Sequence, residues 1–234
     1  ALTKILNCLG YHVDAPTDLC CSLPKLSSGE TTAARKQAQM LVDELLPAAK
    51  QDQIILSTST SCSLTLRSKY ASYLDMTDER STSVANAVMD ACEFLLNEHG
   101  DYLRENLQEI PQKVLYHGPC QLRDHRMGEP ALELLRLIPN IELTLSQADC
   151  CGIGGTYGYE KNKYSIAMEV GKPLMEQVRQ CKPDIIICDS ETCRWNIKAQ
   201  TGVSCKHPVQ LLVEALNLEG IHPKTKLHPV GRRS

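Results

Sequence analysis

Aromatic residues are scarce in this chain: they make up 4%, with one Trp and one Phe, which leaves few anchors for a large protein interface. No apolar run approaches the roughly 20 residues that a membrane span needs, and no signal-peptide pattern opens the sequence. A soluble protein is expected, one that can still dock on a membrane partner. Charge of neither sign dominates. Twenty-five basic residues against 28 acidic give a net charge of -3, which removes the electrostatic case for binding nucleic acid or an anionic membrane surface. What remains is ordinary globular composition, 42% hydrophobic and 23% charged over 234 residues, enough for one large domain or two compact ones.

Cysteine is the exception. Twelve occur, fewer than a small disulfide scaffold carries, and in a chain long enough to build its own core. Two adjacent pairs, Cys20-Cys21 and Cys150-Cys151, suit a disulfide framework poorly, because neighbours along one backbone point different ways. Thiolates used for metal or redox chemistry in a reducing compartment fit better.

The pairs belong to an internal repeat. Ala1 to Cys21 lies on Ala131 to Cys151 without a gap, with Ala, Leu and both cysteines identical and apolar positions coinciding at Ile5 with Leu135, Cys8 with Ile138 and Val13 with Leu143. Beyond the pairs, Cys21 is followed by 40 residues and then Cys62, Cys151 by 41 and then Cys193. Both later cysteines stand just after an apolar run, QIILSTSTSC and DIIICDSETC.

The second copy reads as strand alternating with helix. Strands are expected at 113–117, 141–145, 184–188 and 203–206, and helices at 130–138, 191–200 and 209–216. After CCGIGGTYG a further helix carries Ile166, Val170, Leu174 and Val178 at steps of four, with Pro173 as a kink. Such alternation implies parallel sheets with right-handed crossovers. The expected fold is therefore α/β, two tandem related domains, each a mainly parallel sheet flanked by helices. The first spans 1–98, a linker 99–112, the second 113–220 and a basic tail 221–234. An amphipathic helix is expected over 82–98, its leucines candidates for a surface contact, and a polar connection over 100–111. The counterparts of strand 113–117 and of Cys120 fall before residue 1, so the first domain is expected to be truncated at its N-terminus.

In a parallel sheet the loops at the carboxyl ends of the strands hold the ligands. Cys120, Cys150, Cys151 and Cys193 stand in three such loops, and four thiolates make a complete set for an iron-sulfur cluster, 4Fe-4S in type. Zinc accepts four thiolates too, but structural zinc sites use short C-x2-4-C knuckles and this spacing is C-x29-CC-x41-C. Cys20, Cys21 and Cys62 form the matching, incomplete set. Cys188 stays open between ligand and core; Cys8, Cys92 and Cys181 read as isolated core thiols and Cys205 as structural. Gly152, Gly154 and Gly155 lack the order of a phosphate loop, and are expected instead to let backbone N–H groups reach cluster sulfur. His117, Asp124 and His125 flank Cys120, placed for hydrogen bonding or proton carriage.

The tandem pairs, with YHGPC before and CCGIGGTYGYEKNKY, CDSETCRWNI and CKHPVQLL after, resemble the cysteine-rich domain pair shared by heterodisulfide reductase and several respiratory dehydrogenases. The likeness covers residues 1–218 and runs most fully to the C-terminal cysteine-rich (CCG) part of the anaerobic sn-glycerol-3-phosphate dehydrogenases. The resemblance implies an iron-sulfur electron-transfer subunit of anaerobic respiration. Its partners would be flavin-containing catalytic subunits and, through the membrane, a quinone acceptor; its place would be the bacterial cytoplasm, peripheral on the inner face of the cytoplasmic membrane. It also implies a preceding ferredoxin-like domain. The chain by itself, without a flavin or substrate motif, is not expected to oxidise glycerol 3-phosphate. The iron-sulfur subunit of a lactate or glycolate oxidase and a zinc-stabilised docking scaffold are the alternatives. Three departures from the family pattern stand out. Its fuller form ends in C-x-x-C, but Ser190 stands three before Cys193 and Ser59 three before Cys62, and CCS replaces CCG in the first repeat. They point away from the large five-cysteine noncubane clusters.

Overall fold

A computed structural model describes residues 1–15 and 19–216; the expected tail at 221–234 lies outside the described residues. The first repeat opens with α1 (Leu2–Cys8), α2 (Leu23–Ser27) and the long α3 (Thr31–Lys50). Small and aliphatic side chains of α3 recur at three- and four-residue steps, Ala34, Ala38, Leu41, Val42, Leu45 and Ala49, and this stripe is buried, as an amphipathic helix on a core requires. Strand β1 (Ile55–Ser57) follows, then α4 (Thr60–Leu64), a π-helical turn at Thr65–Lys69 and α5 (Tyr70–Leu74). Next come α6 (Glu79–Ala87), β2 (Val88–Asp90) and α7 (Ala91–Asn106).

The second repeat runs β3 (Lys113–Tyr116), α8 (Cys120–His125), α9 (Pro130–Arg136), β4 (Glu142–Leu145), a 3-10 turn at Tyr157–Tyr159 and α10 (Tyr164–Cys181). It ends with β5 (Ile185–Ile187), α11 (Glu191–Thr201), β6 (Cys205–Lys206) and α12 (Pro208–Leu216). All pairing is parallel: β1 with β2 in one sheet, and β4-β3-β5-β6 in the other. The α/β class with helix-flanked parallel sheets is what the alternation implied.

Four expectations need correction. The span 82–98 is not one helix. Val88–Asp90 breaks out to pair with Ile55–Ser57, and the buried Asp90 carboxylate then accepts the Cys92 N–H and starts α7. Helix α7 continues through Gly100 to Asn106, so most of the expected polar connection is helical. Its Phe94, Leu95 and Leu103 are fully buried, each worth roughly 2 kcal/mol, and so Leu95 offers no surface contact. On α10 the residues at steps of four do not share a face, since each step overshoots a helical turn by about 40°. Ile166 and Val170 are more than half exposed, whereas Ala167, Gly171, Leu174, Met175 and Val178 form the buried stripe.

The two repeats meet through helices. One buried cluster takes in Ile5, Leu6 and Leu9 from the start of the chain, Phe94, Leu95 and Leu103 of α7, Leu132, Leu134 and Leu135 of α9, and Leu211 and Leu212 of α12. Helix α7 packs on α9 and on α12, and α12 packs on α1. In the repeat alignment α1 corresponds to α9, and the helix after β2 corresponds to the helix after β6. The α7–α9 contact and the α12–α1 contact are therefore the same contact made twice, and α7–α12 meets its own counterpart, which is the pattern of a local two-fold.

Candidate metal centres

Each repeat gathers its cysteines where parallel strands end. In the second, Cys120 opens α8 after β3, Cys150 and Cys151 follow β4, and Cys188 and Cys193 flank the turn after β5. The five thiols form a continuous chain of sulfur contacts. Cys120 meets Cys150, Cys150 meets Cys151, Cys151 Sγ lies 3.1 Å from Cys193 Sγ, and Cys193 meets Cys188. The structure thus brings together every second-repeat cysteine singled out from sequence and adds Cys188, which is fully buried. In the first repeat Cys20 meets Cys21, and Cys21 Sγ lies 3.0 Å from Cys62 Sγ. Cys92 is a core thiol: it is 1% exposed, and burial holds its thiol protonated. Cys205 is pushed up to about 11 by burial.

Protonation alternates along both sulfur chains. The hydrogen bond from Cys21 is the largest influence drawing Cys20 down to about 6, and the same residue lowers Cys62, while Cys21 itself is pushed up as their donor. In the second centre Cys150 and Cys193 are likewise lowered by neighbouring thiols, and Cys120 and Cys151 are raised. Backbone donors assist in register. Ser22 and Leu23 N–H face Cys20 and Cys21, just as Gly152 and Ile153 N–H face Cys150 and Cys151, Gly152 N at 3.3 Å from Cys150 Sγ. Ser59 and Ser190 turn their hydroxyls to Cys62 and Cys193. Each is an N-cap residue whose side chain caps nothing; Ser59 Oγ lies 3.0 Å from Ser61 Oγ and Ser190 Oγ 3.4 Å from Thr192 Oγ1, so both hydroxyls stand in small polar clusters beside the cysteines.

Gly152 has a second task. With φ +93°, a Cβ there would stand 2.1 Å from Ala167 O and 2.6 Å from Gly171 N, so the Cys150-Cys151 loop lies directly on the backbone of α10. Gly171 reciprocates: its Cβ would meet Cys151 O at 2.3 Å. Gly154 and Gly155 take left-handed conformations at φ +58° and +67° that shape the turn. Asn196 of α11 donates to Cys151 O at 2.8 Å and holds the loop from the other side.

A buried polar seam joins the centres. Thr60, two residues before Cys62, donates to Asp189, next to Cys188, at 3.4 Å, and Tyr116 OH donates to the same carboxylate at 3.1 Å. Ser63 bonds Asp90 at 3.3 Å and His125 at 3.0 Å. Burial is the main cause that pushes Asp189 up to about 7 and Asp90 up to about 6. His125 thus serves the contact between repeats rather than the cysteines, and Asp124 is exposed.

Among the described residues no set of three or more His, Cys, Asp or Glu side chains encloses a single metal ion. The sulfurs touch at 3.0 and 3.1 Å, closer than the about 3.8 Å that separates thiolates around a tetrahedral zinc. The donor chemistry nevertheless fits a larger sulfur-ligated group. Five thiols converge in one place, and beside them His117 Nε2 is a buried side-chain polar atom without a hydrogen-bond partner among the described residues, whereas Ser22 Oγ at the first centre lies against Tyr70. Buried polar groups are otherwise paired, so His117 Nε2 marks a missing acceptor or donor.

The profile of the cysteine-rich domain family matches residues 1–67 and 114–198, and the chain belongs to that family. It is 35% identical over 217 residues to one subunit of the anaerobic glycerol-3-phosphate dehydrogenase of Escherichia coli strain K12, covering 92% of this chain and 54% of that one. It is 25% identical over 235 residues to lactate utilization protein A 1 of Bacillus mycoides, covering 94% and 91%, and 26% identical over 199 residues to an iron-sulfur protein of Methanocaldococcus jannaschii, covering 83% and 36%. The chain spans about half the length of the dehydrogenase subunit it matches.

Sequence reasoning left Cys188 undecided and gave Asp189, Gly171 and Asn196 no role. The regular repeat of DSETC with STSTSC pointed to the serines, but which way a hydroxyl turns is not a property of spacing.

Proposed function

We propose that the chain is the cysteine-rich, iron-sulfur electron-transfer part of an anaerobic sn-glycerol-3-phosphate dehydrogenase. The observation that carries the reading is the convergence of Cys120, Cys150, Cys151, Cys188 and Cys193 from three loops beside an unpartnered buried His117 Nε2. In this reading the domains span 1–98 and 113–220, joined by 99–112. Cys120, Cys150, Cys151 and Cys193 hold a 4Fe-4S cluster, Cys188 lies against it, and Cys20, Cys21 and Cys62 form a three-thiol site. When bound, such a cluster supplies reversible one-electron transfer. The protein's part is to bring the four thiols to one place, to aim N–H groups of Gly152 and Ile153 at sulfur, and to exclude water from one side through Ile153, Ile186 and Ile197, all buried. The donor is a flavin-containing catalytic subunit and the acceptor is a membrane quinone, with the protein peripheral on the inner face of the bacterial cytoplasmic membrane. No helix among the described residues is long and apolar enough to cross a membrane. Tyr159, Tyr164, Ile166, Val170 and Trp195 are all more than half exposed on elements packed around the second centre; exposed apolar groups of this kind suit a partner protein.

A second reading, the iron-sulfur subunit of a lactate or glycolate oxidase, is favoured by the coverage of the lactate utilization relative, which is nearly complete in both chains. Anaerobic purification with analysis for iron, acid-labile sulfide and zinc tests both against a zinc scaffold: iron and sulfide in equal amounts are expected, and zinc without sulfide would overturn the cluster. Electron uptake from the glycerol-3-phosphate or the lactate flavoprotein then separates the two substrates.

A further inference from the structure

His117 is fully buried at the end of β3, three residues before Cys120. Its backbone N–H is satisfied by Ile187 O at 2.9 Å, which fixes the residue between β3 and β5, beneath both the Cys120 loop and the Cys188–Cys193 turn. One ring nitrogen is accounted for. Nδ1 lies 3.3 Å from Ser146 Oγ, and that oxygen already accepts the Ala148 N–H at 3.1 Å. The Ser146 hydroxyl can donate its own hydrogen to Nδ1, and a ring that accepts at Nδ1 carries its hydrogen on Nε2. Nε2 is buried and without a partner among the described residues. Three residues before Cys120, the ring lies within electrostatic range of Cys150 and Cys193 as well as Arg123. Leaving such a donor unmet costs about 1–3 kcal/mol, and the surrounding fold leaves few others unmet.

We propose that His117 Nε2–H is a direct hydrogen-bond donor to the sulfur of the cluster held at the second centre, and that Ser146 sets the tautomer that makes it one. The proposal rests on the reading of that centre as an iron-sulfur site. A histidine ligand is the other use of a free imidazole nitrogen, but the centre already offers five thiols, and the Ser146 bond places the hydrogen where a ligand would need a lone pair. Donors to cluster sulfur favour the reduced, more negative state, and so raise the potential.

The test uses the 234-residue chain loaded anaerobically with iron and sulfide. His117→Phe keeps a ring without a donor, and His117→Gln keeps a side-chain N–H. His117→Phe is expected to retain its iron and to shift the reduction equilibrium about tenfold toward the oxidised state, about 59 mV for a one-electron couple, and His117→Gln to recover most of the shift. Labelling the unsubstituted chain with 15N-histidine needs no variant: pulsed EPR of the reduced cluster should show a weak histidine nitrogen coupling. An unchanged potential in His117→Phe with iron retained, or a loaded chain with no histidine coupling, would overturn the proposal. A strong coupling, with iron lost from both variants, would overturn it too by making His117 a ligand. An unsubstituted chain that takes up no iron and sulfide defeats the cluster reading itself.

Discussion

Five cysteines from three loops meet in the second repeat and three from two loops meet in the first, yet the loops sit at equivalent strand ends. The repeats differ as sharply in what they bury beside them. Ile55 faces Val88 and Leu56 faces Met89 in one sheet, as Ile186 faces Cys205 and Ile187 faces Lys206 in the other. One residue further, Asp90 and His207 occupy the same place. Each starts the following helix by accepting a backbone N–H two residues on, from Cys92 at 2.8 Å and from Val209 at 3.1 Å. Each also reaches the other repeat, Asp90 acting on Asp189 and His207 meeting the backbone at Thr58. Duplication has kept the hydrogen bond and changed the charge. A capping acceptor can be a carboxylate or an imidazole, and the local fold does not distinguish them; the pH response does.

The largest difference to break is that between a repeated thiol and a solitary one. Cys151→Ser should abolish the iron-sulfur signal of the second centre, whereas Cys92→Ser, beneath the interface helices, should leave it intact. EPR and iron analysis of the two variants check this, and equal loss in both would remove the ligand assignment. Between the centres, air exposure should strip iron first from the three-thiol site of Cys20, Cys21 and Cys62, since Cys20 is exposed while Cys151 and Cys193 are buried; Mössbauer spectra recorded over time would show the order.

The residue after each cysteine pair offers a second contrast. Gly152→Ala drives a Cβ into α10 at 2.1 Å from Ala167 O and should cost several kcal/mol, about the top of the range for single substitutions, with loss of the second centre. Thermal unfolding and iron content measure it.

The pair Asp90 and His207 gives mirror-image pH curves. Burial raises Asp90 from 3.8 to about 6, so the folded state binds the extra proton and its stability falls as pH rises through that window. Burial lowers His207 from 6.5 to about 4, so its stability is complete above 6.5 and falls as pH drops toward 4. Relative to the parent, and apart from a constant offset, Asp90→Asn should gain about 3 kcal/mol between pH 4 and 6 as pH rises, and His207→Asn about 3 kcal/mol as pH falls. Denaturant unfolding at several pH values tests the opposite slopes; parallel curves would dissolve the contrast.

The smallest effect is at Ser22, which takes the place of Gly152 with φ 63°. Ser22→Gly relieves a left-handed conformation and should stabilise by roughly 1 kcal/mol, read as a small rise in melting temperature.

The repeated cysteine pairs, the apolar strands at 113–117 and 184–188 and the α/β alternation were legible in the chain, because each is a statement about neighbours in sequence and about periods of two or 3.6 residues. The short β2 was not. Val88–Asp90 has no strand pattern of its own and is held by pairing with Ile55–Ser57 and by the Asp90 cap, a partnership between segments more than 30 residues apart. Nor were the exposure of Ile166 and Val170 or the burial of Leu95 legible, since which face of a helix is covered depends on what packs there. The sequence by itself determined which cysteines are equivalent and that they stand at strand ends. Tertiary structure decided that Cys188 joins Cys193, that Asp90 and Asp189 share one buried seam, and that His117 Nε2 is buried without a partner among the described residues. Each of those depends on packing between distant segments, where a side chain's surroundings are set by the whole fold and not by its neighbours along the chain.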